Sequence, residues 1–159
     1  PQHIWRARPG LRGRCLRRQL AARGIETVYR ARRAAVARAQ QERARTLKEM
    51  AQNSVFFCRD VTAYDEKAAK KNLTADAAPL LQSVRERMAS LGDWQATKLH
   101  EIVQDVATEA GAGLGKVAQP IRVAVSGGSV SPPIDVTLEI LGRDITLQRI
   151  DRAIAACAA

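Results

Sequence analysis

The stretch Gly115 to Ile154, GKVAQPIRVAVSGGSVSPPIDVTLEILGRDITLQRIDRAI, limits the fold most tightly, because punctuation cuts it into three short apolar elements. Gln119-Pro120-Ile121-Arg122 leads into the first, and Ser126-Gly127-Gly128-Ser129 breaks it. Ser131-Pro132-Pro133 opens the second, Gly142 stops it, and Asp144 opens the third. Val117 to Val125 is rich in β-branched residues and reads as a strand on propensity. Pro120 argues against a central strand, and proline is tolerated in the first turn of a helix. Ser131 is predicted to cap the next helix, with Pro132 in its first position and Ile134, Leu138 and Leu141 facing inward. Asp144 is predicted to cap the last helix, where Leu147, Ile150, Ile154 and Cys157 recur at helical spacing. A polar corner that carries one arginine is where a scaffold presents groups to a ligand.

The rest of the chain supplies helices to hold that corner. Alanine, arginine and leucine are abundant and aromatics make up only 4%, a balance that favours helix over sheet. At 159 residues the chain holds one compact domain or two small ones. No apolar run reaches the ~18 residues of a membrane helix. Cys15, Cys58 and Cys157 lie far apart in no Cys-x-x-Cys spacing, so they read as reduced thiols and not as a disulfide framework or zinc site. The net charge of +10 is unevenly placed: residues 1 to 50 carry 14 basic against three acidic side chains, and residues 51 to 159 carry 12 against 13. Basicity confined to one arm licenses only a weak inference of polyanion binding.

Residues 1–39 are set apart as an arginine-rich tract. A disordered arm, a nucleic-acid patch, a solvated helix face and a GC-rich gene read out of frame all yield such a composition. The sequence opens without methionine, as expected of a piece of something longer. Gln40 to Ala51 reads as the end of a helix, with Leu47 and Met50 on one side. Val55-Phe56-Phe57-Cys58 reads as a short buried run. Lys67, Lys70 and Lys71 sit at helical spacing, as solvated charge or as phosphate contacts. Thr74 is predicted to cap a helix whose apolar face is Leu80, Leu81, Val84 and Met88, with Gly92 beyond its end. Asp93 is predicted to cap another, carrying Trp94, Leu99, Ile102, Val103 and Val106. Trp94 is expected in the core and His100 on the surface.

No constellation for covalent or acid–base chemistry is present. Gly111, Gly113, Gly115 and Lys116 fail as a phosphate loop, because Ala110 holds the first glycine position and Val117 replaces the hydroxyl residue. They read as a helix stop and turn. There is no G-x-S-x-G, no H-E-x-x-H and no paired Cys/His cluster. Ser126, Ser129 and Ser131 have no base in argued reach. Neither catalytic residues nor metal ligands are assigned.

Gly115-Lys116, Gln119 through Gly127, Ser131-Pro132, Leu141-Gly142-Arg143, Thr146-Leu147 and Arg149-Ile150 follow one another in an order that resembles a known family. Upstream, Glu42 through Met50, Tyr64-Asp65 and Ala68 through Lys71 fit the same order. The family is the C-terminal anticodon-binding region of bacterial glutamyl-tRNA synthetases, and the likeness covers roughly residues 40 to 155. The resemblance implies an all-α fold, with helix and not strand over Val117 to Val125. It implies a helical subdomain at 40–91 and a helical anticodon-binding cage at 92–159. Arg122, Ser131, Pro132 and Ile134 match positions that line the anticodon pocket in that family. Ser131 keeps the hydroxyl of the threonine often found there, whereas Pro133 departs from many relatives. In that family an arginine in the helix matching Gln40 to Ala51 approaches the third anticodon base, and the resemblance leaves both Arg43 and Arg45 as candidates for its equivalent.

The partner so implied is tRNA-Glu, with tRNA-Gln as the alternative, bound by a cytoplasmic monomer with no membrane contact. ATP and magnesium are expected only in the parent enzyme's catalytic domain. Its HIGH-type and KMSKS-type signatures are missing here, since His3-Ile4-Trp5 is not followed by the needed residues. The chain is therefore expected to be inactive alone. A helical protein-interaction module and a non-specific RNA-binding fragment are the rival readings.

Overall fold

The structure, a computed structural model, describes residues 25–41 and 44–157. Among them every regular element is a helix, so the all-α expectation holds. In chain order these are α1 (Ile25–Gln41), α2 (Leu47–Asn53), α3 (Val55–Cys58), α4 (Glu66–Asn72), α5 (Ala77–Ser90), α6 (Ala96–Glu109), α7 (Leu114–Ser126), α8 (Ile134–Leu141) and α9 (Arg143–Cys157). Residues 36–159 form one compact unit. Residues 1–35 form another, of which residues 25–35 are described and helical. The expectations for residues 1–24, including Cys15, and for Arg43 fall outside the described residues.

One apolar core runs through the larger unit, from Phe56 on α3 through Leu81, Val84 and Met88 on α5 to Leu138 on α8 and Ile150 on α9. It draws on both the 40–91 and the 92–159 segments. Spacing of three and four residues puts these side chains on one face of each helix. Of the α9 residues read as inward-facing, Ile150 is fully buried and Leu147, Ile154 and Cys157 only partly; Thr146, Arg149 and Ala153 complete the buried face. Trp94 packs against the core and its indole N–H donates to the Leu138 carbonyl at 2.9 Å. Phe56 and Phe57 are buried, whereas Val55 and Cys58 in the same short run are exposed. Cys58 and Cys157 are free thiols.

Several predicted boundaries shift. Gln40 to Ala51 is not one helix end: α1 stops at Gln41, and α2 starts afresh at Leu47 behind Thr46. The Thr46 hydroxyl accepts from Glu49 N–H, and the Glu49 carboxylate accepts from Arg45 N–H, which together supply the partners of a helix start. Thr74 lies in a turn before α5, whose start at Ala77 has no side-chain cap; the Ala77 N–H uses the Thr74 carbonyl instead. Asp93 does not cap α6 either. That helix begins at Ala96, and the carboxylate of Glu139 on α8 reaches across to accept the Ala96 N–H at 3.0 Å. Ser131 does not cap α8 and Pro132 is not in it, since α8 starts at Ile134 after Pro133. Asp144 lies inside the first turn of α9, which begins at Arg143 directly after Gly142. At α5 a neighbouring carbonyl and at α6 a tertiary carboxylate satisfy groups that a local side-chain cap would otherwise serve.

Candidate functional site

The site is built on α7. This helix buries Val117, Pro120, Ile121, Val123, Ala124 and Val125, and that enclosure keeps a β-branched segment helical against its propensity. Pro120 lies in the helix interior, where its ring has no N–H for the Lys116 carbonyl. The helix closes at Gly127, whose φ of 81° is left-handed and whose N–H returns to the Val123 carbonyl. A Cβ there would lie 3.1 Å from Val61 Cγ1 and 3.2 Å from the Ala63 carbonyl oxygen, so glycine is required on both counts. The Gly127 carbonyl accepts the Asp65 N–H at 2.8 Å, which fixes the entry to α4 against this turn.

Arg122 is half-buried on the last turns of α7, and its Nε donates to Ser131 Oγ at 3.0 Å. Ser131 is only 4% exposed, and its hydroxyl donates in turn to the Pro132 carbonyl at 2.9 Å. Ser126 braces the other side: its hydroxyl donates to the Arg122 carbonyl at 2.7 Å. Two of the residues proposed from sequence thus meet directly. Pro132 is buried behind them, and Ile134 belongs to the core at 8% exposed. Arg45 is exposed ahead of α2. Beside the corner lies a cavity of about 320 Å³, with Ser126 and Val130 on one wall and Gln52, Asn53, Phe56 and Asp60 on the other. Val130 is 72% exposed at its mouth.

Two arginines on α9 hold those walls together, and sequence reasoning gave them no role. Arg149, 3% exposed, donates through Nη2 to the carbonyls of Phe56 and Arg59, each at 2.9 Å, and through Nη1 to the Val125 carbonyl. A planar fork can serve several carbonyls at once; an ammonium cannot. Arg152 donates to the Val61 carbonyl at 3.1 Å and to the Asp60 carboxylate at 2.7 Å. That bond to Arg152 is the main reason the Asp60 carboxyl titrates below its ordinary value of 3.8. The signal for Arg149 was available: a cation in the Thr146, Ile150, Ala153 stripe of a helix must find buried acceptors.

His100 is exposed, with Nδ1 3.7 Å from the Asp135 carboxylate. Among the described residues no group of three or more His, Cys, Asp or Glu could hold a metal. No described helix is long and apolar enough to cross a membrane.

The family model described as "Anticodon binding domain" matches residues 14–154. The chain is 50% identical over 153 residues to Glutamate--tRNA ligase 1 of Alkalilimnicola ehrlichii, covering 96% of this chain and 32% of that protein. It is 48% identical over 152 residues to Glutamate--tRNA ligase 2 of Halorhodospira halophila, with the same 96% and 32% coverage. Among solved structures, a glutamate tRNA ligase from Elizabethkingia meningosepticum in complex with its amino acid superposes with a TM-score of 0.70 at 32% identity, over 76% of this chain and 24% of that one. The chain thus spans about a third of the length of these curated relatives, and the matched region begins upstream of residue 40.

Proposed function

This chain belongs to the anticodon-binding domain family, and from that membership we propose that it recognises the anticodon of tRNA-Glu as the C-terminal part of a glutamate–tRNA ligase. The observation that carries the reading is the Arg122 Nε to Ser131 Oγ bond at 3.0 Å, within a chain whose matched relatives are named as glutamate–tRNA ligases.

Single-stranded loops are read by stacking splayed bases on flat groups and bonding their exposed edges. Arg122 supplies a planar cation, and the bond from Nε to Ser131 sets the plane in which it lies. The Ser126 hydroxyl fixes the backbone beneath it. A guanidinium held this way loses little freedom on meeting a base, so binding energy goes into discrimination. The adjoining cavity gives an unstacked base somewhere to go. Arg45, exposed before α2, and Arg43 remain the candidates for a second base contact. Pro132 and Ile134, being buried, act by shaping the corner from behind.

Under this reading the chain contributes binding and orientation, holding one end of the RNA so that the other reaches a distant reaction site. ATP and magnesium belong to the part of the parent enzyme that carries out the chemistry. A monomer in the cytoplasm, with tRNA-Gln as a second substrate of the parent, completes the proposal.

The test is binding of the purified chain to tRNA-Glu and to the same tRNA with its anticodon replaced, over a salt series. The expected result is weaker binding to the replaced anticodon at parallel salt slopes, with the difference erased by Arg122→Ala. Equal affinity for both RNAs would overturn the reading in favour of non-specific polyanion binding.

A further inference from the structure

We propose that the outer face of α4, made by Lys67, Lys70 and Lys71, binds the phosphate backbone of the RNA whose bases enter the Arg122–Ser131 corner. The inference rests on the anticodon reading for the identity of the RNA, and on α4 itself for the surface.

Positions i, i+3 and i+4 share one face of a helix. The three lysines are all exposed, while Ala68, one residue on from Lys67, is 5% exposed and packed. Several cations elsewhere in this unit are neutralised within the protein. Arg85 pairs with Asp151 at 2.9 Å, Lys98 with Glu101 at 2.9 Å, Arg152 with Asp60 at 2.7 Å, and Arg87 with Glu109. On α4 none of the three lysines has an ion-pair partner among the described residues. The carboxylates beside them do not supply one. Asp65 is committed to capping the helix through Ala68 N–H at 2.8 Å, and Glu66, four residues before Lys70, is not paired with it. Three like charges on two turns repel one another, and an anion along that face relieves the repulsion.

Placement identifies the anion. Asp65 N–H donates to the Gly127 carbonyl at 2.8 Å, so α4 departs from the turn that ends the Arg122 helix. At 1.5 Å of rise per residue, Lys71 lies only about 9 Å along the axis from Asp65. A strand with one base at the corner has its neighbouring phosphates within that distance. Backbone contacts of this kind set position and add affinity without reading sequence.

The experiment compares the full chain with Lys67→Ala/Lys70→Ala/Lys71→Ala against tRNA-Glu and the anticodon-replaced tRNA, from 50 to 200 mM salt. Alanine keeps the helix, and an unchanged far-ultraviolet spectrum and melting curve certify the fold. The expected result is weaker binding to both RNAs by the same factor, with the slope of log K against log salt shallower by about two, near 0.7 per single-strand phosphate. Lys98→Ala, which removes a lysine already paired within the protein, leaves the slope close to that of the unaltered chain. An unchanged slope in the triple variant, with the unaltered chain still discriminating anticodons, overturns the lysine face and leaves the anticodon reading intact. A shallower slope where the unaltered chain shows no discrimination keeps the phosphate face and removes the anticodon reading.

Discussion

Gly127 and Arg149 are the two single residues on which the corner depends, one by having no side chain and the other by having a large charged one. At Gly127 an added methyl would combine a left-handed φ of 81° with contacts of 3.1 and 3.2 Å to Val61 and Ala63. Gly127→Ala is expected to cost about 1–3 kcal/mol, seen as a lower urea midpoint at unchanged m-value. Arg149 serves three carbonyls with one guanidinium. Removing it by Arg149→Met leaves buried acceptors without donors, at about 3 kcal/mol. Arg149→Lys is expected to recover little of this in the same urea titration, because an ammonium is a point donor where a fork is needed. The sequence advertised Gly127 through its place in a Ser-Gly-Gly-Ser break. Arg149 was readable only as an anomaly, a cation amid an apolar stripe, and which carbonyls it would find depends on residues 24 to 93 positions away.

Helices as units were legible wherever they carry their own instructions. The apolar faces of α5, α6 and α8 follow from spacing alone, because burial at three- and four-residue intervals is a property of the helix itself. Their beginnings were not legible, since Ala96 is capped by Glu139, which no local pattern encodes. Thr46 is the contrasting case, a start written in adjacent residues. Thr46→Ala is expected to destabilise by about 1 kcal/mol and to speed hydrogen exchange at the first amides of α2 ahead of those in α5. The α9 anchor to the residue 60 loop has its own signature in acid. Because Arg152 depresses the Asp60 carboxyl below 3.8 in the folded chain, the unfolded chain takes up that proton first as pH falls. The link therefore contributes stability above the unfolded value and loses it as pH falls through the depressed folded value. Urea midpoints at pH 6 and pH 3 check this: the deficit of Arg152→Ala relative to the unaltered chain is expected to be full at pH 6 and smaller at pH 3.

For the whole molecule, the resemblance carried in Gln119 through Gly127 and Leu141 through Ile150 points to the all-α class and to the anticodon-binding family from sequence alone. Propensity alone would have put a strand at Val117 to Val125, and only enclosure by α5, α6, α8 and α9 makes it a helix. The residue pattern also placed Arg122 and Ser131 in one corner but could not anticipate the bond between them, which requires the turn at 127 to fold back. Trp94 draws these distances together. Its indole N–H is bonded to the Leu138 carbonyl on α8, 44 positions away, and the Arg143 guanidinium lies 5.7 Å over its ring. The chain has one other tryptophan, Trp5. With Trp5→Phe in place, light emitted by Trp94 becomes an intrinsic gauge of whether α8 is seated. Freed from its carbonyl and its cation, the ring meets water and its emission moves to the red. A red shift that precedes the loss of helical ellipticity would mean that the recognition corner opens while the bundle still stands; a coincident shift would mean that the two come apart only together.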